Sequence, residues 1–318
     1  MRHAYRQSMK ASLISPARIR ITGQGRHTPG ALLELLRAAP YLLPALLIFV
    51  VFTYYPLARV LYMSLTDADM LSAPNWVGLA NYRQLLADRE FWNSLGITAA
   101  FAVGVTALEV GLGLALAFLM NARTRTQSLL RGAVFAPVVV SLAATAVIWN
   151  YLLNPNSGPV NRLLEGLGIA GPGWLSDPQT ALASVILVAV WKGVGLPAVL
   201  FLAGLQGLPG ELEEAAAIDG ASRATIARRI TIPLLAPTTV VVVFISLIGT
   251  FQSYGLVLLL TRGGPAGATN LLGYSIYQNA FVFFQMGLAS ALSVVLFALL
   301  LTLGIIQLKL AERRVHYQ

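Results

Sequence analysis

Six stretches of this 318-residue chain are long and apolar enough to cross about 30 Å of hydrocarbon as helices. They run at 41–63, 92–120, 129–153, 181–205, 234–260 and 287–308. Lipid offers no hydrogen bonds to a backbone, so such stretches must satisfy their own amides, and helices do that. The fold class expected is therefore an all-α membrane protein with six transmembrane helices. The composition agrees: 57% of residues are hydrophobic and 11% charged, where a soluble domain is about a quarter charged. Tyr41, Tyr54, Tyr55, Trp92, Trp149 and Tyr151 gather near span ends, as interfacial aromatics do. The chain has no cysteine, which excludes disulfides, thiolate metal sites and cysteine nucleophiles.

The basic residues set an orientation. Arg2, Arg6, Lys10, Arg18, Arg20, Arg26 and Arg37 precede the first span. Arg123, Arg125 and Arg131 flank the second connection, Arg223, Arg228 and Arg229 the fourth, and Lys309, Arg313 and Arg314 follow the last span. The alternate connections hold only Arg83, Arg89, Arg162 and Arg262. This bias predicts that both termini are cytoplasmic, and it accounts for the formal charge of +9 without nucleic acid. The first span is too long for the apolar region of a signal peptide and lacks a small-residue cleavage site, so it is expected to be retained. The organisation expected is a basic cytoplasmic tail over 1–38, lying near anionic lipid headgroups, a membrane domain over 39–310 and a short cytoplasmic tail over 311–318.

The connection at 207–233 carries the most specific pattern. Pro209 can open a short helix, and Glu211, Glu213 and Glu214 suit its positive end. Ala215, Ala216 and Ala217 keep that helix narrow. Asp219-Gly220 is a turn signal, with Gly220 able to take the left-handed conformation that ends a helix. Ser222 is a plausible cap for a second helix, which carries Arg228 and Arg229 at its end and closes at Pro233. On these residues alone, the hairpin serves equally as local packing or as a surface that another protein approaches closely.

Glu214-Ala215-Ala216, then Gly220, Ile230 and Pro233 at this spacing, resembles the EAA loop of permease subunits of bacterial ABC importers. Flanking segments extend the likeness: Gly204-Leu205-Gln206-Gly207-Leu208-Pro209, Thr261-Arg262-Gly263-Gly264-Pro265 and Trp76-Val77-Gly78-Leu79-Ala80-Asn81-Tyr82 resemble the carbohydrate-uptake branch. The chain resembles the maltose-transporter larger-subunit type without its large external insertion. Its closing Glu312-Arg313-Arg314-Val315-His316-Tyr317-Gln318 is similar to the end of glycerol-3-phosphate permease subunits. It departs from the family at Ile232, usually Leu, and at Ala224 and Ala227, usually aromatic.

The resemblance implies a subunit of the bacterial inner membrane that moves a sugar or sugar-like solute by alternating access. Glycerol-3-phosphate or a glycerophosphodiester is the alternative solute. It implies Glu214, Ala215, Ala216, Asp219, Gly220, Ile230 and Pro233 as the docking surface for a separate ABC ATPase. Two copies of that ATPase, a second permease subunit and an external solute-binding protein are the implied partners. ATP and Mg would sit on the ATPase; this chain binds no cofactor and is not an enzyme. Consistently, it has no G-x-x-x-x-G-K-[ST] phosphate loop.

Polar residues inside apolar spans are functional candidates, because hydrocarbon penalises them. Gln252, Ser253, Tyr254 and Phe251 combine amide, hydroxyl and aromatic groups that suit a sugar; interhelical hydrogen bonding is the alternative reading. Lys192 sits among Gly193, Gly195 and Pro197, which weaken regular helix, and serves equally as ligand or structural group. Asn150 is a further path candidate near the end of the third span, and Glu109 reads as a structural partner for a basic group. His3, His27 and His316 all lie in tails and form no metal set. A secondary transporter or channel would show an inverted repeat or paired intramembrane acids, and neither is evident. A membrane enzyme would need a catalytic constellation at one face, and none is drawn by the sequence.

Overall fold

The computed structural model describes residues 30–122 and 124–314; the tail ahead of Gly30 and the last four residues lie outside the described residues. The described chain is nearly all helical, with one isolated bridge between Thr66 and Trp76. It divides into two units at Pro56–Leu57. In the first unit, α1 (Gly30–Phe49) runs through a π turn at Val50–Tyr54. The helix therefore begins ahead of the tail boundary expected at residue 38. It continues through α2 (Tyr55–Met63), and Ala39–Met63 is long and apolar enough to span a bilayer.

The second unit is built around α4 (Arg89–Met120). Asp88 starts this helix by accepting a hydrogen bond from the Glu90 amide at 2.9 Å. Its 32 residues make a rod of about 48 Å, longer than the hydrocarbon core. It packs against α8 (Ala181–Gly193), α9 (Gly195–Gln206) and α13 (Ala236–Phe251). Close approach depends on small residues: a Cβ on Gly113 would lie 2.8 Å from Pro197 Cβ, and one on Gly204 would lie 2.7 Å from Thr238 Oγ1. Two buried clusters result. Phe101 and Val105 pack with Val185, Val188 and Val257, while Ala117 and Met120 pack with Phe201, Leu235 and Val242.

A third cluster joins α3 (Ala80–Ala87) to α15 (Leu272–Tyr277) and α16 (Met286–Arg314) through Leu85, Phe91, Leu272 and Leu292. Buried polar bonds fix the same region. Thr98 Oγ1 accepts from the Leu272 amide at 2.9 Å, Asn270 donates to Glu90 at 3.1 Å, and Ser275 donates to Asn270 at 3.0 Å.

Three of the six apolar stretches are not the uninterrupted helices that the sequence suggests. Arg89–Met120 and Met286–Lys309 are continuous and long enough to span, like Ala39–Met63. The 129–153 stretch instead divides into α5 (Arg125–Val139) and α6 (Leu142–Leu152), bent by 101°. Pro137 lacks an amide for α5 and Ser141 caps α6, accepting from the Ala144 amide at 3.2 Å. The 181–205 stretch bends by 47° between α8 and α9 at Val194. The 234–260 stretch divides at Gln252–Ser253 into α13 and α14 (Tyr254–Leu260).

Between 152 and 181 the chain forms α7 (Pro159–Gly166) and a one-turn 3-10 helix at Trp174–Ser176. Asn161 holds this segment together: it donates to Pro155 O at 2.9 Å and accepts from Trp174 Nε1 at 2.6 Å.

Candidate functional site

The 207–233 connection folds as helix, turn and helix. Pro209 stands at the cap rather than inside α10 (Gly210–Ile218), and Glu211 and Glu213 lie in its first turn. The helix ends with the Gly220 amide donating to Ala217 O at 3.1 Å and the Ala221 amide to Ala216 O at 3.0 Å. This is the Schellman arrangement, which needs a left-handed residue at the turn; Gly220 supplies it with φ +82°. Ser222 caps α11 (Arg223–Ile226), accepting from the Thr225 amide at 3.3 Å. A π turn at Ala227–Thr231 and α12 (Ile232–Leu234) complete the connection, so Pro233 lies inside a short helical turn rather than closing it.

Two contacts hold the hairpin to itself. Thr231 Oγ1 donates to Glu213 Oε1 at 2.9 Å, and Ile226 of α11 is buried. Glu214, Ala215, Asp219 and Gly220 are exposed, Ala216 and Ile230 are half-buried, and Ile218 is 87% exposed. A Cβ on Gly220 would meet nothing within 4 Å. The hairpin thus presents a small-residue crest, rimmed by Glu214 and an uncovered Ile218, that its own chain does not cover.

The second feature is a cavity of about 280 Å³ between α4, α6, α8, α9 and α13. Val105 and Glu109 line it from α4, Lys192, Gly193 and Leu196 from the α8–α9 break, and Ser246, Gly249 and Thr250 from α13. Gln252, Ser253 and Leu142 line it too, with Ala189, Pro197, Ile245 and Leu256. Breaks in three apolar stretches therefore border one space. Irregular backbone inside an apolar segment is tolerated where it lines a cavity, because polar groups freed from the helix ladder can meet water or solute there.

Of the path candidates, Lys192, Gln252 and Ser253 reach this cavity. Lys192 also bridges elements: its Nζ donates to Val140 O at 2.5 Å and to Pro137 O at 3.4 Å, at the C-terminal end of α5. Ser253 donates to Gly249 O at 3.0 Å. Phe251, Tyr254 and Asn150 are not in the wall. Tyr254 stacks on Tyr277 with centroids 6.4 Å apart, and Tyr277 meets Phe281 at 5.6 Å. Asn150 donates to Leu259 O at 3.4 Å, joining α6 to α14.

Glu109, Ser246 and Thr250 are cavity groups that the sequence did not mark as such. Glu109 is 7% exposed, and a Cβ on Gly193 would collide with its Oε1. The Ser246 hydroxyl is buried beside the Glu109 carboxyl. Ser246, Gly249, Thr250 and Ser253 follow one another at helical spacing, and that small polar stripe was available as a signal.

Comparison with known proteins places this architecture. Residues 109–317 match the model of the family described as binding-protein-dependent transport system inner membrane component. The chain is 35% identical over 284 residues to the sn-glycerol-3-phosphate transport system permease protein UgpA of Agrobacterium fabrum, covering 87% of this chain and 96% of that one. It is 35% identical over 277 residues to the trehalose/maltose transport system permease protein MalF of Thermococcus litoralis, covering 86% and 92%. A bacterial alginate ABC transporter, solved in complex with an alginate pentasaccharide-bound periplasmic protein, has a chain of the same fold: TM-score 0.79, 20% identity, covering 89% of this chain and 98% of that one. Fold, family match and relatives agree with the resemblance carried by the 207–233 hairpin: the chain belongs to the binding-protein-dependent transport system inner membrane components and is a membrane permease subunit of an ABC import system.

Proposed function

We propose that this chain forms half of the translocation path for a sugar or sugar-like solute and works by alternating access. A second permease subunit supplies the other half, an external solute-binding protein delivers the solute, and two copies of an ABC ATPase drive the cycle. The ATPase binds ATP and Mg and carries out hydrolysis; this chain binds neither. Six membrane crossings with both termini cytoplasmic place the hairpin on the ATPase side.

The observation that carries the reading is the hairpin itself. Its Schellman turn exposes Ala215 and Gly220 beside an uncovered Ile218, a surface that suits a close-fitting protein partner. Glu214, Ala215, Ala216, Asp219, Gly220, Ile230 and Pro233 form the docking surface, and Gln252, Ser253 and Lys192 face the solute. A second reading, glycerol-3-phosphate as the solute, is favoured by the UgpA relative.

Reconstitution tests the reading. Proteoliposomes holding this chain with its partner permease and ATPase should take up solute only with ATP and the loaded binding protein. Solute uptake by this chain alone, down a gradient and without the ATPase, would assign it to the secondary transporters or channels instead.

A further inference from the structure

The cavity's polar groups differ in what they have left to offer a solute. Lys192 is the one cation in the wall, and its ammonium already donates to two backbone carbonyls, Val140 O and Pro137 O. Thr250 donates to Leu247 O at 2.7 Å and Ser253 to Gly249 O. The groups not tied to a backbone carbonyl are the Glu109 carboxyl, the buried Ser246 hydroxyl beside it, and the Gln252 amide.

Sites that hold phosphates or carboxylates present arginine forks, unpaired ammonium groups or open helix N-termini. Three helix starts touch this wall: that of α6 at Leu142, already capped by Ser141 Oγ, that of the seven-residue α14 after Ser253, and that of α9 after the break at Val194. Glu109 Oε1 abuts Gly193, directly ahead of that start, so the place favourable to an anion is filled by the protein's own carboxyl.

We propose that Glu109 is a specificity-determining residue that makes this cavity accept uncharged, hydroxyl-rich solutes and reject anionic ones. Its carboxyl accepts hydrogen bonds from solute hydroxyls, assisted by Ser246 and Gln252. A phosphate brought to the same place meets a like charge, and the one cation in the wall already spends two of its three N–H groups on backbone carbonyls. The proposal rests on the reading of the chain as a solute path, and it decides between that reading's two solutes in favour of the neutral sugar.

The chain's lack of cysteine supplies the test. A Ser253→Cys reporter is placed in the complete complex with partner permease and ATPase, in cysteine-free background, and its rate of modification by a small thiol reagent is followed. The probes are size-matched: trehalose and trehalose 6-phosphate, with glycerol 3-phosphate as a second anion. Trehalose should protect the reporter at concentrations at least about tenfold lower than either phosphate, a ratio expected of one unfavourable charge contact. Glu109→Gln should narrow that ratio to about threefold or less, and Glu109→Asp should restore it.

Equal protection by neutral and anionic probes in the parent would overturn the proposal, and that comparison holds even if the Gln variant fails to assemble. An unchanged ratio in Glu109→Gln would also overturn it. Protection by neither class would show that the cavity does not bind these solutes; the proposal would fall, while ATP-dependent uptake in the reconstituted system would leave the transporter reading standing.

Discussion

Gly220 gives the sharpest test of the docking hairpin, because its two possible roles separate energetically. Its φ of +82° lies where L side chains are disfavoured, and the Schellman bonds from Gly220 and Ala221 depend on that conformation. An alanine there costs about 1–2 kcal/mol of backbone strain, and a valine up to about 3 kcal/mol. Neither adds a clash within the chain, since a Cβ would meet no atom within 4 Å. Such a cost is smaller than the roughly 5–15 kcal/mol that holds a typical domain, so Gly220→Ala and Gly220→Val should insert and remain folded. Gly220→Asn tolerates the left-handed conformation yet carries bulk, which separates strain from obstruction. The assays are co-purification with the ATPase and solute-stimulated ATP hydrolysis in the reconstituted complex. Loss of both in the valine variant, with normal membrane levels, is expected. An asparagine variant as impaired as valine would locate the effect at a close-fitting surface; a nearly normal one would locate it in the backbone. Parent-like hydrolysis, co-purification and uptake in Gly220→Val would refute the docking argument.

Three further outcomes follow from other contacts. Lys192→Met removes a charged donor from the carbonyls that end α5, a loss of about 1.5–3 kcal/mol, so thermal unfolding of the purified complex should begin earlier. Unchanged melting with uptake abolished would instead make Lys192 a ligand. Asn161→Ala leaves Trp174 Nε1 and Pro155 O without their partner and should cost about 2–4 kcal/mol of local stability, read as faster proteolysis within 155–176; parent-like proteolysis would refute it. Single cysteines at the exposed positions Ala80, Ala215 and Ala266 test the orientation: impermeant thiol reagent applied to intact cells should label the first and last and spare the second.

Much of the helical architecture was legible because hydrophobic length is a strong signal, and the hairpin was legible because its caps are local chemistry. Asp219-Gly220 and Ser222 each act on amides within a few residues, so the sequence alone specifies what they do. The interruptions were harder to read. Pro137 and Ser141 together mark the end of one helix and the cap of the next, yet the hydropathy of 129–153 hides the bend of 101° between them. The division at Gln252–Ser253 has no proline at all. There the chain tightens through bonds from Gln252 to Gly249 O and from Ser253 to Thr250 O, a choice made by packing rather than by local propensity. Gly255 fits that packing closely, since a Cβ on it would lie 2.8 Å from Leu142 Cδ2.

The cavity follows from those interruptions rather than from any one motif. Leu142 follows the first break, Gly193 precedes the second, and Gln252 and Ser253 form the third, so segments more than a hundred residues apart border the same space. Sequence reasoning ranks intramembrane polar residues by type, and by type Lys192 and Tyr254 look like ligands. The fold assigns their contacts by geometry instead: the lysine secures a broken helix end and the tyrosine stacks on Tyr277. The polar capacity left facing the cavity then belongs to Glu109 on α4, Ser246 on α13 and Gln252 in the break after it. A buried carboxyl is expensive for a membrane helix to carry. The neighbouring glycine makes room for it at one of the three breaks, and so turns a structural break into a place where a solute can be read.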